Sequence, residues 1–271
     1  DNPNLRDDVY AIGIITDPAR RAGGATDENE PFPAVWLELN NVIVRGEMTM
    51  LHMDYAAQLS LFWDNGLLAV KRNMIDTAGA LREAPDAAQI LLSLTRVTAH
   101  APHGIVRMRV GASGAYPVTV DRFARKSVFF VERSRPHFDF SGLMSIDNDT
   151  PLLKLRGASN AYVVDSSLTD PMLVLRTAAG EDATTRMSDL LTSDPGWADE
   201  TKPRWSVNWS QSSLPDVPAS RRKPSDYRQT DVSPPGCDEK SLPAIFEPFL
   251  EENDVSNVRS ALRNVGNREH L

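Results

Sequence analysis

The chain has 271 residues, 41% hydrophobic and 24% charged, a balance that excludes an intrinsically disordered chain and a membrane-spanning one. Its longest apolar runs fall far short of the roughly 18 residues a transmembrane helix needs, so no membrane insertion by this segment is expected. A net charge of −8 argues against nucleic acid as a partner, because phosphate contacts require a basic face.

The opening Asp1-Asn2-Pro3 lacks the charged and apolar regions of a signal peptide, and a piece cut from a longer protein is expected. Residues Val9–Thr16 form one apolar strand, followed by a loop rich in glycine and proline over 19–33. From Val35 onward an apolar-x-apolar pair recurs. Its leaders are Leu51, Ile75, Val106, Phe138 and Leu173, advancing by 24, 31, 32 and 35 residues. Nine residues before each leader stand Val42, Gly66, Val97, Phe129 and Val164, and seven before stand Val44, Leu68, Ala99, Val131 and Ser166. These positions share one face of a strand, since side chains alternate with period two. Eleven before lie Asn40, Asp64, Thr95, Ser127 and Tyr162, four of them small polar turn-formers. Upstream are further apolar pairs: Leu37 and Leu39, Leu61 and Trp63, Leu92 and Leu94. Val118-x-Val120 and Leu153-x-Leu155 correspond to them with a displacement of about six residues.

Each unit therefore predicts strand, polar corner, strand, short loop, strand. One apolar face per unit cannot be buried alone, and stacking units solves the problem, as in a parallel β-helix. An antiparallel sandwich would show Asn-Gly or Asp-Gly hairpin turns at regular spacing. Asn65-Gly66 is the one such pair, and it falls inside a recurring position. The expected fold is all-β, a parallel β-helix over residues 1–178, with an irregular C-terminal cap and wrap over 179–271 packed on the same domain.

Within that cap, Thr184–Leu191 has the spacing of a short helix, and Val255–Leu262 of a final one. Trp197, Trp205 and Trp209 cluster within thirteen residues. They suit a plug for the open end of the stack, or a stacking platform for sugar rings that makes them the candidate ligand-binding residues. Leu214–Pro248 is rich in proline and predicts an extended wrap along the body.

Catalytic motifs are weak. Asp147-Asn148-Asp149 would point both carboxylates to one side of an extended chain, the wrong geometry for acids flanking a glycosidic bond. His100 and His103 are interrupted by Pro102 and have no third ligand near in sequence, so no metal is expected. His52 and His137 stand alone beside strands. The Gly111–Ala115 stretch around Ser113 is a loop rather than a nucleophile elbow. The only cysteine, Cys237, precludes an internal disulfide and has no activating neighbour. Arg221-Arg222-Lys223 reads as a solvated loop. No phosphate loop or kinase motif is present, so no catalytic residue and no cofactor are assigned.

The stretches WLELNNVIVRGEMTMLHM, LSLFWDNGLLAV, LLSLTRVTAHAPHGIVRM and VTVDRFARKSVFF, with DPGWADETKPRWSVNW downstream, resemble the C-terminal region of planctomycete serine/threonine protein kinases and kinase-like proteins. The resemblance spans about residues 30 to 235. It implies a right-handed, pectin-lyase-like β-helix that is the non-catalytic part of a larger protein, with the cellular side left open. The function expected is a sensor or scaffold module whose partner is a polysaccharide or another protein. A polysaccharide-active enzyme is the rival, and a structural spacer the third reading. The enzyme would need acids and bases in register on one outward face. The outward residues Arg45, Lys71, Arg107, Glu132 and Arg156 align in no such register.

Overall fold

The computed structural model describes residues 9–14, 34–80, 82–83, 88–111, 116–146, 152–163, 169–191, 198–211, 214 and 216–245. These form strands and short 3-10 turns, so the fold is all-β. One sheet takes β1 (Tyr10–Ile14), β3 (Thr49–Met53), β5 (Ile75–Thr77), β7 (Val106–Arg109), β10 (Phe138–Leu143), β13 (Pro171–Thr177) and β14 (Asp182–Arg186), in that order. The other pairs three long strands, β2 (Ala34–Gly46), β4 (Gln58–Val70) and β6 (Gln89–His100). Next to β6 the strand divides: β8 (Thr119–Arg125) lies on its first half and β9 (Val128–Phe130) on its second. Then β11 (Leu153–Ala158) follows β8, β12 (Ala161–Val163) follows β9, and β15 (Ala198–Thr201) closes on β11. Up to β13 the chain alternates between the sheets, and every named pairing in this body is parallel, which rules out the antiparallel sandwich.

The leader column forms as its apolar residues predict. Leu51, Ile75, Val106, Phe138 and Leu173 are register partners in succession, and Met53, Thr77, Met108, Phe140 and Leu175 follow two residues on. Across the core lie Leu37, Leu61 and Leu92, then Leu39, Trp63 and Leu94. Most of these side chains are fully buried. Burying one leucine-sized side chain contributes about 1.5–3 kcal/mol, so the columns dominate the stability.

The corner between the halves of the long strands has one conformation throughout. Asn41, Asn65, Arg96, Lys126, Ser159 and Lys202 all adopt left-handed backbone, with φ between 49° and 57°. Their preceding residues, Asn40, Asp64, Thr95, Arg125, Ala158 and Thr201, are stacked register partners. Asn65 Nδ2 donates to Asn41 Oδ1 at 2.8 Å, tying two corners together.

In the fourth and fifth units the expected columns are displaced. Phe129 is the partner of Ala99 rather than of Val97, and Tyr162 follows Phe129 inside the core rather than sitting at a corner. The position equivalent to Leu92 is Arg122, not Val118 or Val120. A charged residue in an apolar column removes the signal that sets the alignment.

The helix expected at Thr184–Leu191 is instead β14 followed by a 3-10 turn over Met187–Leu191. Antiparallel pairing of β14 with β13 covers a sheet edge that would otherwise stay open. Val255–Leu262, Asp147-Asn148-Asp149, Ser113 and Trp197 lie outside the described residues.

Gly66 lies directly beneath the buried Trp63 ring, and a methyl group there would fall 1.9 Å from Trp63 Nε1. Gly66→Ala therefore requires the indole to move within a filled core. The expected loss is about 1–3 kcal/mol of unfolding free energy, read as a lower urea midpoint at unchanged slope; an unchanged midpoint would refute this packing.

Candidate functional site

The second half of β4 and β6 is buried on both faces. The reason is the segment from Trp209 to Leu242, which crosses the outer surface of this sheet. Tyr227 packs on Leu67 and Ala69, with Ile43, Trp209, Leu214, Cys237 and Leu242 around it. Polar contacts fix the path: Cys237 N donates to Thr98 Oγ1 at 3.0 Å, Gly236 N to the Lys126 carbonyl at 2.6 Å and Asp238 N to Asn65 Oδ1 at 2.7 Å. The corner asparagine thus serves both the stack and the crossing segment. Burial raises the Cys237 thiol above its ordinary value, the opposite of an activated nucleophile.

Between this segment and the loops that follow β4, β6 and β9 runs a groove of about 650 Å³. Its aromatic lining is His100, His103, Phe130 and Trp209. Lys71, Glu132 and Arg222 are among its charged residues. A recess of about 200 Å³ adjoins it beside Glu47 and Pro218, and Lys71, His100, Pro102 and Arg222 line both cavities. His100 Nδ1 and Tyr227 Oη are 2.6 Å apart, and the imidazole packs at 4.2 Å between centroids on Phe130. Burial first, and then the charge of Arg222, lower the His100 pKa to about 3, so the ring is neutral. Arg45 Nη1 donates to the Arg222 carbonyl at 3.1 Å. Arg222 Nη1 is itself buried with no hydrogen-bond partner among the described residues. Arg222 is thus part of the groove wall rather than of a solvated loop.

Of the candidate tryptophans, Trp209 reaches this groove and meets Tyr227 edge-on at 6.1 Å. Trp205 does not. It stacks at 5.4 Å on Tyr162, which stacks at 5.4 Å on Phe129, so three rings continue one inward column to the end of the core.

Beside that column lies a buried polar cluster with no sequence signature. Down one inward column the side chains shrink from Trp63 through Leu94 and Ala124 to Gly157, and then comes Glu200 on β15. The shrinkage leaves room for Glu200 to reach Arg122 at 2.5 Å. Both side chains are almost fully buried. Tyr162 Oη donates to Glu200 at 2.6 Å and accepts from Arg122 at 2.7 Å, while Asn160 Nδ2 donates to Glu200 at 2.6 Å. Burial alone would raise the Glu200 pKa, but the Arg122 charge and these hydrogen bonds outweigh it and hold the carboxyl below its ordinary range. With its charges paired and its rings packed, the cluster ties β15 to the core.

On the outer face of the first sheet, His52, Asp76, Arg107 and Asp139 are successive register partners. Asp76, 3% exposed, accepts from Arg107 at 2.8 and 2.9 Å and from Arg109 at 3.0 Å. His52 lies 3.7 Å from Asp76 and 3.3 Å from Asp54, and Arg176 pairs with Asp139. Of the outward residues expected to share no register, Arg107 thus stands in a column of acids and bases formed with residues outside that set. The residues are the middle members of the apolar-x-apolar pairs, a place the leader pattern passes over. The expected outward set does not form one column: Arg45 stands in register with Ala69 and Arg156 with Phe123.

No group of three or more His, Cys, Asp or Glu suited to a metal occurs among the described residues, nor any helix long and apolar enough to cross a membrane. Comparison with family models, curated proteins and solved structures finds no match to this chain.

Arg122→Leu restores an apolar column yet strands Glu200 without its counter-charge. The expected cost is about 3–5 kcal/mol, most of it recovered in the Arg122→Leu, Glu200→Gln double variant. A single-variant cost below about 1 kcal/mol would show that the pair is not buried.

The two buried histidines predict acid sensitivity. His137, like His100, has a pKa near 3, lowered by burial and then by Arg122. Between the unfolded value of about 6.5 and about 3, the unfolded chain binds protons that the folded chain does not. Stability therefore falls as pH falls, by up to about 1.4 kcal/mol per pH unit for each histidine. Glu200, lowered in the fold, adds to the loss below the ordinary carboxylate range. Urea midpoints measured from pH 7 to pH 4 should show this decline, and His137→Asn should reduce its slope; a flat profile would contradict it.

Proposed function

We propose that the chain is a right-handed parallel β-helix of the pectin-lyase-like type that acts as a non-catalytic recognition module, the sensor or scaffold of a larger serine/threonine kinase-like protein. Alternation of the chain between two parallel sheets, one corner conformation in six successive units and inward apolar columns all favour that fold. Right-handed connections are the rule for parallel strands. The sequence resemblance points the same way.

The observation that carries the functional reading is the groove at Trp209. Its aromatic floor is held by the neutral His100 and Tyr227, and its charged rim comes from loops of successive units. Pockets of roughly 300–1,000 Å³ lined by aromatics with a few polar groups are the usual form of ligand sites. A fold of this kind can take an extended ligand along its stacking direction, so a polysaccharide or a segment of another protein fits.

A second reading is favoured by the column of His52, Asp76, Arg107 and Asp139: a polysaccharide-active enzyme on the outer face of the first sheet. The ion pairs weigh against it, because Asp76 is committed to two arginines and Asp139 to a third.

Thermal unfolding of the purified chain against acidic and neutral polysaccharides separates these readings. A ligand that binds only the folded state stabilises it by about 2.7 kcal/mol at a hundredfold excess over Kd. The recognition reading expects a saturable rise with one polymer class and no change in polymer length. Cleavage that Asp76→Asn abolishes would establish the enzyme instead. No rise with any polymer would favour a spacer or a protein partner.

A further inference from the structure

We propose that the outer face of the sheet of long strands, over the first half of those strands, binds a second copy of this chain about a two-fold axis that runs along β6. The groove at Trp209 lies beyond the corner, on the other half of the strands. The two surfaces are separate, and a failed test of one leaves the other standing.

Four large apolar side chains point outward on this face. Trp36 is 68% exposed and Phe123 36%, while Phe62 and Leu91 are half-buried. Register sets them in a zigzag on successive strands. Trp36 and Leu91 share one outward column with Ser60 between them, and Phe62 and Phe123 share the next with Ser93 between them. The Trp36 and Phe62 rings stack at 4.5 Å between centroids. Together the four make a continuous apolar ridge, the kind of patch that marks an interaction surface. On the second half of these strands the outer face is covered by the segment from Trp209 to Leu242. Over the first half, no segment crosses the ridge among the described residues.

Charge selects the occupant. Past the ridge, the Trp36 column continues through Asp121 to Lys154, and the column that starts at Glu38 continues from Phe123 to Arg156. Glu38, Lys154 and Arg156 are exposed, and Arg156 keeps half of its side chain in solvent while it pairs with Asp121 at 2.6 Å. The face is built on β2, β4, β6, β8 and β11, with β6 in the middle. A half-turn about β6 reverses the order of these strands and keeps their direction. It sets Phe62 against Phe123 of the second copy and Leu91 against its own equivalent. Glu38 then faces Arg156 of the second copy, and Trp36 faces Lys154, a cation over an indole. Beside the corner, the exposed Asp64 faces the exposed Arg125. Every contact occurs twice, as a two-fold interface requires. Acids lie toward one end of the face and bases toward the other, so the face is complementary to itself. An axis between β4 and β6 would instead bury the Glu38 carboxylate against Phe123, at a desolvation cost with nothing to offset it. The face spans about 20 Å along the strands and about 19 Å across them. That is small for a specific interface, so the dimer is reversible, with a midpoint in the micromolar range.

Sedimentation velocity of the full chain, at about 1 to 100 μM, tests this. The mass should rise with concentration from the chain's 29.9 kDa toward twice that value. Trp36→Asp changes an exposed side chain, so the fold tolerates it, and it should hold the chain at the monomer mass. Glu38→Lys sets like charges face to face and should move the midpoint at least about tenfold higher in concentration. Cross-linking then locates the axis, in a Cys237→Ser background. Ser93→Cys lies on β6, about 10 Å from its equivalent across two packed sheets, and a short bis-maleimide should join the copies. Asn40→Cys lies about 20 Å from its equivalent and should not be joined.

A mass of 29.9 kDa at every concentration would overturn the proposal and leave the ridge to a partner of another kind. A dimer that persists in Trp36→Asp would put the contact elsewhere on the molecule and overturn it as well. If the dimer is lost in Trp36→Asp but Asn40→Cys is joined as readily as Ser93→Cys, the two-fold axis along β6 is wrong.

Discussion

The left-handed corner shared by Asn41, Asn65, Arg96, Lys126, Ser159 and Lys202 is the constraint on which the rest of this structure depends. Parallel strands exchange hydrogen bonds only with the strands above and below, so a bend in one must recur in its neighbours. Left-handed backbone costs a non-glycine residue roughly 1–2 kcal/mol, and six successive units accept it. In return, each corner leaves the residues on both sides of it in register with the next unit, which keeps three inward columns continuous. A slip of one residue would send every inward side chain of that strand outward.

What happens at the far end of those columns follows from what they contain. As Trp63 gives way to Leu94, Ala124 and Gly157, the core loses volume, and Arg122, Tyr162, Glu200 and Trp205 refill it. A fully apolar end would have been as easy to fill, and buried ion pairs are not in themselves efficient stabilisers. Their effect is selective. Glu200 reaches Arg122 only if β15 lies on β11 in one register, so the charge pair sets where the C-terminal segment begins its return along the body. From there the segment crosses the outer face of the long strands. The groove is the space it leaves at the loops beyond them. Corner and crossing segment are joined at Asn65, whose side chain bonds to Asn41 in the neighbouring corner and to Asp238 of the segment.

Much of the stacking was legible in the sequence because the inward positions are apolar and recur. Leu51, Ile75, Val106, Phe138 and Leu173 align in the structure as they do in the sequence. The alignment slipped where chemistry interrupted the pattern. Arg122 occupies a leucine position, and the corner residues Arg125 and Ala158 lie 13 and 15 residues before Phe138 and Leu173 rather than 11, so a fixed offset from those leaders falls two residues late at Phe129 and four residues late at Tyr162. The column of His52, Asp76, Arg107 and Asp139 sat in plain view between the leaders. Its members are polar, so they add nothing to the apolar periodicity that marks the leaders. The groove was only partly legible: Trp209 stood out by its neighbours, but the bond between His100 and Tyr227 joins residues 127 positions apart, in segments without periodicity. The crossing segment binds by single polar contacts and a few rings, which leave no repeat in the sequence.

The stacking itself is open to a direct distance measurement. Glu38, Phe62, Ser93, Phe123 and Arg156 are successive register partners on one outward column. Four steps at the inter-strand spacing of about 4.8 Å put the backbones of Glu38 and Arg156 roughly 19 Å apart. Spin labels attached at Glu38→Cys and Arg156→Cys, in a Cys237→Ser background, should give one narrow distance distribution near that value in pulsed electron resonance. A distance beyond about 30 Å, or a broad distribution, would contradict parallel stacking in this register and every conclusion built on it.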